Sequence, residues 1–357
     1  MIRTDTLLLF AFFLLCIHGC TLKKEDALQK KIATELYKID SLLRDAAYSE
    51  AMAKTLEGAY YTSSGKEVPP FLTPGEATAS VKKSLKEEMI AMNAAGFYAL
   101  ECGIGLLHVQ TNKAPVALLQ MIVDHSIDSA AVSLLNRFAN ATWKAGQPFR
   151  DVNRITRSTF MGFNFLPEDE IKKDKDQIQR AAAILLAELQ LVKDSNAIVQ
   201  FQKIKTLMQS KERTESIAEQ IHAAKYISLK QQVPPFLTPE QDTSVITKSV
   251  KDQKIAVNVA GFYALECGLN YFASQSKLPS QVLKSIADGS INQDDKMLLL
   301  RFANATWKAG QPFRSLNRIE KDNFIPFDLL SNDEVEKDLV QIKAAAAKLL
   351  MDIEKDL

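Results

Sequence analysis

Two glutamates stand in the most apolar stretches of the sequence. Glu101 lies in NAAGFYALECG, and Glu266 lies in the nearly identical NVAGFYALECG. A carboxylate in such surroundings needs a partner, because an unpaired buried charge is very costly. We expect Arg137 to pair with Glu101, and Arg301 to pair with Glu266, as buried ion pairs that fix the fold. The alternative is a glutamate that grips a ligand or handles a proton.

A second block rich in polar side chains occurs twice without a change. RFANATWKAGQPFR spans residues 137–150 and again residues 301–314. At helical spacing, its first arginine, its asparagine and its lysine form one ridge, with the tryptophan beside it. The lysine and the last arginine are further candidate partners for the glutamates. The candidate ligand or contact residues are therefore Glu101, Arg137, Asn140, Trp143, Lys144, Gln147, Arg150, Glu266, Arg301, Asn304, Trp307, Lys308, Gln311 and Arg314.

Three explanations fit the repeated polar ridge. One is a pocket in each half of the chain that grips an anionic or amide ligand. Another is a contact between the two halves about an approximate twofold axis, in which both use the same surface. The third is recent duplication, with the residues serving only as caps and ion pairs. The sequence leaves all three open.

Nucleophilic and metal chemistry find little support in the sequence. Cys102 and Cys267 recur, but no histidine recurs with them, so no Cys–His pair is duplicated. We expect buried, inert thiols, and a Cys102–Cys267 disulfide would require Cα atoms within about 7 Å. The chain has four histidines and no zinc, P-loop or dinucleotide-binding motif. We therefore predict no catalytic residue, no metal and no cofactor.

Both blocks belong to a longer internal repeat. VPPFLTP begins at Val68 and again at Val233, an offset of 165; the glutamate blocks share this offset, and the arginine blocks are 164 apart. A period of this length is too long for a solenoid and indicates a domain-sized duplication. We predict a helical unit of about 165 residues over 27–191 and a homologous unit over 192–357.

Each unit is expected to be all-α. Apolar positions recur at helical spacing, and no alternating strand pattern is visible. Thr73 and Thr238, each followed by proline, and Ser331, followed by Glu334, are predicted N-caps. The expected architecture is two helical bundles in tandem. Helices are predicted near 27–59, 76–109, 116–124, 129–145 and 167–191, and in the second unit near 195–228, 241–274, 294–309 and 332–355.

Composition limits the classes of partner. Lys and Arg total 44 and Asp and Glu total 43, for a net charge of +1. This balance argues against nucleic acid as a ligand, since nucleic-acid binders carry a basic excess. The stretch 89–107 has one charge, Glu101, but that glutamate and Asn93 make a membrane span costly, so we expect a core helix.

The N-terminus carries a targeting signal. Arg3 precedes an apolar run of 11 residues (7–17), which is shorter than the roughly 20 residues that a membrane span needs. The run ends in Ile-His-Gly-Cys, and this sequence resembles the lipobox of bacterial lipoproteins. The resemblance implies cleavage before Cys20 and diacylglyceryl attachment to it. Residues 1–19 would then be a signal peptide and residues 20–26 a lipidated tether.

A lipid on Cys20 would place the protein in the cell envelope, in the outer membrane, facing the periplasm or the surface. The expected function is binding or scaffolding by a membrane-anchored lipoprotein that is not an enzyme. Its partner would be an envelope protein or a small ligand. The alternatives are an envelope enzyme that uses the paired glutamates and arginines, and a small-ligand carrier with a cavity beside Trp143 or Trp307.

Overall fold

The computed structural model describes residues 25–146, 160–191, 196–228, 230–310 and 324–355. Most of these residues are helical, so the predicted all-α class is confirmed. In the first half the elements are, in order, α1 (25–44), α2 (Ala46–Ser63), α3 (Pro74–Thr78), β1 (Ser80–Ser84), α4 (Leu85–Thr111), α5 (Pro115–Val123), α6 (Ser129–Gly146), a 3-10 turn (Phe163–Phe165) and α7 (Glu168–Gln190).

The second half follows the same order. Its elements are α8 (Ala197–Gln209), α9 (Lys211–Ser228), α10 (Pro239–Asp242), β2 (Val245–Ser249), α11 (Val250–Ser274), α12 (Pro279–Asp288), α13 (Gln293–Gly310), a 3-10 turn (Phe327–Leu329) and α14 (Asn332–Glu354).

The predicted helices 27–59 and 195–228 are each two helices. The breaks fall at Asp45 and Ser210, which occupy equivalent positions of the two repeats. The Asp45 carboxylate accepts hydrogen bonds from the backbone N–H groups two and three residues on, and the Ser210 hydroxyl accepts one from the N–H three residues on. Each residue therefore begins a new helix as its N-cap.

The predicted helices 76–109 and 241–274 begin later than expected. A short helix, capped by Thr73 or Thr238 in the predicted capping box, comes first, and a five-residue strand follows it. The expectation of no strand is therefore wrong. β1 and β2 pair with each other, antiparallel, and each is too short to show alternation on its own.

The strand pair relates matching positions of the two halves. Lys82, in the middle of β1, lies opposite Thr247, which is the equivalent position of the second repeat. The ladder continues at both ends, where Leu85 N–H donates to the Ser244 carbonyl and the matching N–H of α11 donates to the carbonyl before β1. The two halves thus meet through equivalent positions of the repeat.

The helices of the two halves interlock. α2 packs against α11 and α14 of the second half, while α9 packs against α4 and α7 of the first. α6 and α13 pack against each other, and the rings of Phe138 and Phe302 stack there with centroids 4.1 Å apart. One contiguous core of buried residues runs through both halves. The predicted units 27–191 and 192–357 therefore do not pack as separate bundles.

Helix α4 is a core helix, as the sequence predicts. By length and composition it could span a membrane, but its most apolar stretch is 89% buried within the protein. A side chain added at Gly103 would collide with Leu135 of α6, and one at Gly268 would collide with Leu299 of α13. Because neither position carries a side chain, the neighbouring helix can approach closely.

Candidate functional site

Each buried glutamate forms an ion pair with a lysine of the other half. Lys308 Nζ lies 2.5 Å from Oε2 of Glu101, and Lys144 Nζ lies 2.5 Å from Oε2 of Glu266. All four side chains are 0% exposed. The lysine of α13 thus contacts the glutamate of α4, and the lysine of α6 contacts the glutamate of α11. The sequence analysis identified these four residues as candidates, but it did not predict that each pair joins the two halves.

Both glutamate carboxylates have further hydrogen-bond donors. Oε2 of Glu101 accepts from the Cys102 thiol at 3.3 Å, and Oε1 accepts from the backbone N–H of Phe327 at 2.9 Å. Glu266 has matching bonds of 3.3 Å from the thiol that follows it and from the N–H of Phe163. Both oxygens of each carboxylate are therefore occupied by protein groups.

The electrostatics of the two centres favour charged lysines and neutral thiols. Burial opposes the charge of Lys144 and Lys308, but the attraction and hydrogen bond of the paired glutamate raise the pKa of each lysine. Burial, followed by the neighbouring glutamate, raises the pKa of Cys102 and Cys267 well above that of an ordinary thiol. Both cysteines are buried and free, so the disulfide considered above does not form.

Arg137 and Arg301, the expected partners of the glutamates, bind other residues, so that prediction is wrong. Arg301 forms a bidentate pair with Asp328, with nitrogen–oxygen distances of 2.9 and 2.5 Å. Arg137 donates from Nη2 to Oδ1 of Asn164 at 2.9 Å. Each guanidinium also lies 4.3–4.4 Å from the centre of a phenylalanine ring in the adjacent 3-10 turn. The arginines thus hold the turns whose N–H groups bind the glutamates.

The centre around Glu266 contains two asparagines. Asn270 donates from Nδ2 to Oε1 of Glu266 at 2.7 Å, and its Oδ1 accepts from the backbone N–H of Asn164 at 3.2 Å. Asn164 is the one acceptor that the described residues offer to Arg137, whose Nε and Nη1 have no hydrogen-bond partner there. Burial lowers the pKa of Arg137.

The centre around Glu101 has a different pair at the same two positions. Gly105 stands in place of Asn270, and Asp328 stands in place of Asn164. A Cβ added at Gly105 would collide with Asp328 and Arg301. The arginine–aspartate pair therefore fills the space that the Asn270 side chain takes in the Glu266 centre.

The remaining candidate residues lie around the two centres. Asn140 Oδ1 is 3.8 Å from the Cys267 sulfur, and Asn304 Oδ1 is 3.7 Å from the Cys102 sulfur. The two tryptophans are half-buried and pack against phenylalanine rings, with centroids 6.0 and 6.1 Å apart. The lysines and asparagines of the ridge thus contact the other half, whereas the arginines and tryptophans make their hydrogen-bond and ring contacts within their own half. Four candidates lie outside the described residues: Gln147, Arg150, Gln311 and Arg314.

Asp174 and the pair formed by Glu88 and Lys248 are buried ionisable groups that the sequence analysis missed. Burial raises the pKa of Asp174 on α7 to about 8, Glu170 raises it further, and Lys144 opposes the rise. Its spacing, one turn before the buried Ile178, was the signal that could have identified it. Beside the strand pair, Lys248 Nζ lies 3.4 Å from Oε2 of Glu88, and both are buried. This is a third buried ion pair between the halves.

No protein-family model, no curated protein and no solved structure matches this chain. Within the described ranges, no group of three or more His, Cys, Asp or Glu side chains is arranged to hold a metal ion.

Proposed function

We propose that the protein is a lipid-anchored lipoprotein of the cell envelope that acts by binding or scaffolding rather than by catalysis. The enclosure of the lysine–glutamate pairs carries this proposal. Glu101 and Glu266 are 0% exposed, and each already accepts an ammonium, a thiol and a backbone N–H. A general acid or base has to reach its substrate within hydrogen-bond distance, whereas these carboxylates are directed at protein groups.

The arrangement favours this role over an envelope enzyme built on the same residues. Such an enzyme would use Glu101 with Arg137 and Glu266 with Arg301, but each arginine is bound to the side chain of Asn164 or Asp328 instead. Two cavities open on the described part of the chain, one beside α9 and residues 233–242 and one between α5, α6 and α7, and none of these glutamates or arginines lines them. The repeated residues are better explained as structural contacts that hold the two halves together than as catalytic residues.

We also infer that the chain arose by tandem duplication of one domain-sized unit. The repeated blocks support this, as does the geometry. Lys82 faces Thr247 in the strand pair, and Phe138 stacks on Phe302, so residues one repeat apart meet each other. Contacts of this kind arise on a twofold axis between like subunits. An interlocked pair of like halves suits a rigid scaffold.

The anchor would be the lipid on Cys20. That residue and the signal peptide lie outside the described residues. This part of the proposal is supported by the resemblance of residues 17–20 to a lipobox. The tether 20–26 would join the lipid to α1. The membrane would be the outer membrane, with the protein on its periplasmic or surface face, and its partner would be an envelope protein or a small ligand.

Metabolic labelling with a palmitate analogue, combined with membrane fractionation, tests the anchor. The wild-type protein should take up the label and stay in the membrane fraction after washing with concentrated salt. Cys20→Ser should lose both properties, whereas the control Cys102→Ser should keep them, because that thiol is buried in the core. A Cys20→Ser variant that resists the salt wash would contradict the lipid anchor.

A further inference from the structure

A cavity of about 290 Å³ opens in the first half of the chain. It lies between the end of α5, the turn that follows, and the facing sides of α6 and α7. Its apolar walls are formed by Ile122, Ile127, Val132, Leu135 and Ile178. The volume is at the lower end of the range for small-molecule sites, and the mainly apolar lining is typical of them.

A buried amide lines this cavity. Asn136 is 4% exposed, and its Oδ1 has no hydrogen-bond partner in the described part of the chain. A buried carbonyl oxygen without a donor costs free energy. A ligand that brings an N–H or O–H group to Asn136 would remove that cost.

Polar side chains lie at the mouth of the cavity. Lys175 and His125 are exposed there, and Gln179 Nε2 lies 2.6 Å from Nε2 of His125. Among the described residues that line the cavity, none is an aspartate or a glutamate. A cation without a competing carboxylate favours an anionic group at the outer end of the ligand.

The second half has apolar residues at the same positions. Leu300 stands in place of Asn136, and Leu339 stands in place of Lys175, both at the offset that separates the two arginine blocks. Both leucines are buried in the core. The helices of the second half thus pack without either polar group, so the fold does not require Asn136 or Lys175.

We propose that this cavity binds a small amphipathic carboxylate that carries a hydroxyl or amide N–H at its apolar end. The donor group would bind Oδ1 of Asn136 at the floor of the cavity. The apolar part would cover the isoleucine and leucine walls, and the carboxylate would lie near Lys175 at the mouth. This inference rests on the proposed binding function and names the class of ligand.

The probe is 10-hydroxydecanoate, compared with decanoate, which lacks the hydroxyl group. Isothermal titration calorimetry uses the full chain made soluble by Cys20→Ser. We expect one saturable site and about tenfold tighter binding of the hydroxy acid, because the hydroxyl satisfies a buried acceptor. Lys175→Leu should weaken the binding of both acids to a similar degree.

Asn136→Leu is the decisive variant, because the second half already has leucine at that position. It should remove the preference for the hydroxy acid while keeping the circular dichroism spectrum and the thermal transition of the parent. Lys343→Gln, at the position that corresponds to Gln179, is the matched control and should bind both acids unchanged.

Two results would overturn the proposed ligand site. One is the absence of saturable binding of 10-hydroxydecanoate, which would mean that Oδ1 of Asn136 accepts hydrogen bonds from water and not from a ligand. The other is an equal preference for the hydroxy acid in Asn136→Leu and in the parent. Either result leaves the palmitate labelling at Cys20 untouched, so failure of the ligand site is distinguishable from failure of the lipoprotein proposal.

Discussion

Three hydrogen-bond donors converge on the buried carboxylate of Glu101: the Lys308 ammonium, the Cys102 thiol and the Phe327 N–H. A buried ion pair of this kind adds little net stability compared with apolar residues, since both charges lose water. Its main effect is to make other arrangements costly. The pair is satisfied only when α4 and α13 meet in the observed register.

Removing one member of the pair should therefore destabilise the protein strongly. Glu101→Gln leaves Lys308 buried without its counter-charge, and we expect the free energy of unfolding to fall by about 3–5 kcal/mol. Adding Lys308→Met should recover part of this loss, whereas adding Arg137→Met should not. Urea denaturation followed by circular dichroism measures all three variants. Equal recovery by the two double variants would contradict the pairing across the halves.

Asp174 should make stability depend on pH. Its pKa is about 8 in the folded protein against an ordinary 3.8, so between these values the folded state holds a proton that the unfolded state releases. Stability should therefore fall as pH rises from about 4 to about 8. Asp174→Asn should remove this slope, leaving stability near pH 4 unchanged and raising it at pH 8. Chemical denaturation at several pH values measures the effect.

A matched control for this substitution is Asp338→Asn. Asp338 stands at the corresponding position of α14 and is half-buried. Its replacement should change the pH dependence less than replacement of Asp174 does, because a half-buried carboxyl loses less water. Parallel pH curves for the wild type and Asp174→Asn between pH 4 and pH 8 would show that Asp174 is ionised in the folded protein.

The sequence identified most of the charged residues of the two centres and named the lysines as further candidate partners of the glutamates, but it did not show that the pairs join the two halves. Glu101 and Lys144 were marked by an apolar context and by the identity of the repeated blocks. Partner choice depends on distances between helices in different halves, and no local spacing encodes those distances. Asn164 and Asp328 were missed because they lie in an aromatic stretch without helical periodicity, where only the folded chain shows what their side chains contact.

At the scale of the elements, local signals located most helix starts. The capping boxes at Thr73, Thr238 and Ser331 are present as predicted. Asp45 and Ser210 were missed as caps because the apolar periodicity continues past them, so each looks like one more exposed polar position. The strands were missed because the partner of each lies a full repeat away along the chain, and a strand this short is specified mainly by its pairing.

Two helix starts are capped from a distant part of the chain. The Glu35 carboxylate, on α1, accepts hydrogen bonds from the backbone N–H of Ser280 at 2.7 Å and from its hydroxyl at 2.9 Å, in the first turn of α12. Gln200 on α8 does the same for the N–H of Val116 in α5, at 3.0 Å. In each half, a side chain of the other half thus accepts hydrogen bonds from the first turn of a helix.

Glu35→Ala should lower the free energy of unfolding by about 1–2 kcal/mol, because it leaves first-turn donors of α12 without an acceptor. Glu35→Gln should cost less, since the amide oxygen of Gln200 serves the matching helix. Thermal unfolding at neutral pH compares the two variants. Equal losses in Tm would mean that the charge of Glu35, rather than an oxygen acceptor, stabilises this helix start.

At the scale of the whole molecule, the two halves exchange helices. α2 lies on α11 and α14, and α9 lies on α4 and α7, so each half depends on the other to bury its apolar faces. The sequence repeat predicted that the halves are alike, but it could not predict the exchange. Matching apolar faces allow a helix to pack within its own half or on the other half, and helical periodicity is the same in both cases.

Cutting the chain between α7 and α8 should leave the halves associated. A protease site inserted within residues 192–195 allows the folded protein to be cleaved there. We expect the cut protein to elute in size-exclusion chromatography at the volume of the intact chain, and the fragments to separate only in denaturant. Elution of two folded fragments of half size would contradict the exchange of helices.

The Glu101 and Glu266 centres differ at two positions, and this difference makes the two halves complementary although they share the repeated blocks. The first half carries Gly105 and Asn164, and the second carries Asn270 and Asp328. Two copies of the second half would set Asn270 against Asp328, the crowded combination that a side chain at Gly105 would create. Two copies of the first half would leave the space beside the glycine unfilled. The differences at these two positions thus disfavour the pairing of two copies of the same half. Each half fits the other half better than it fits a copy of itself.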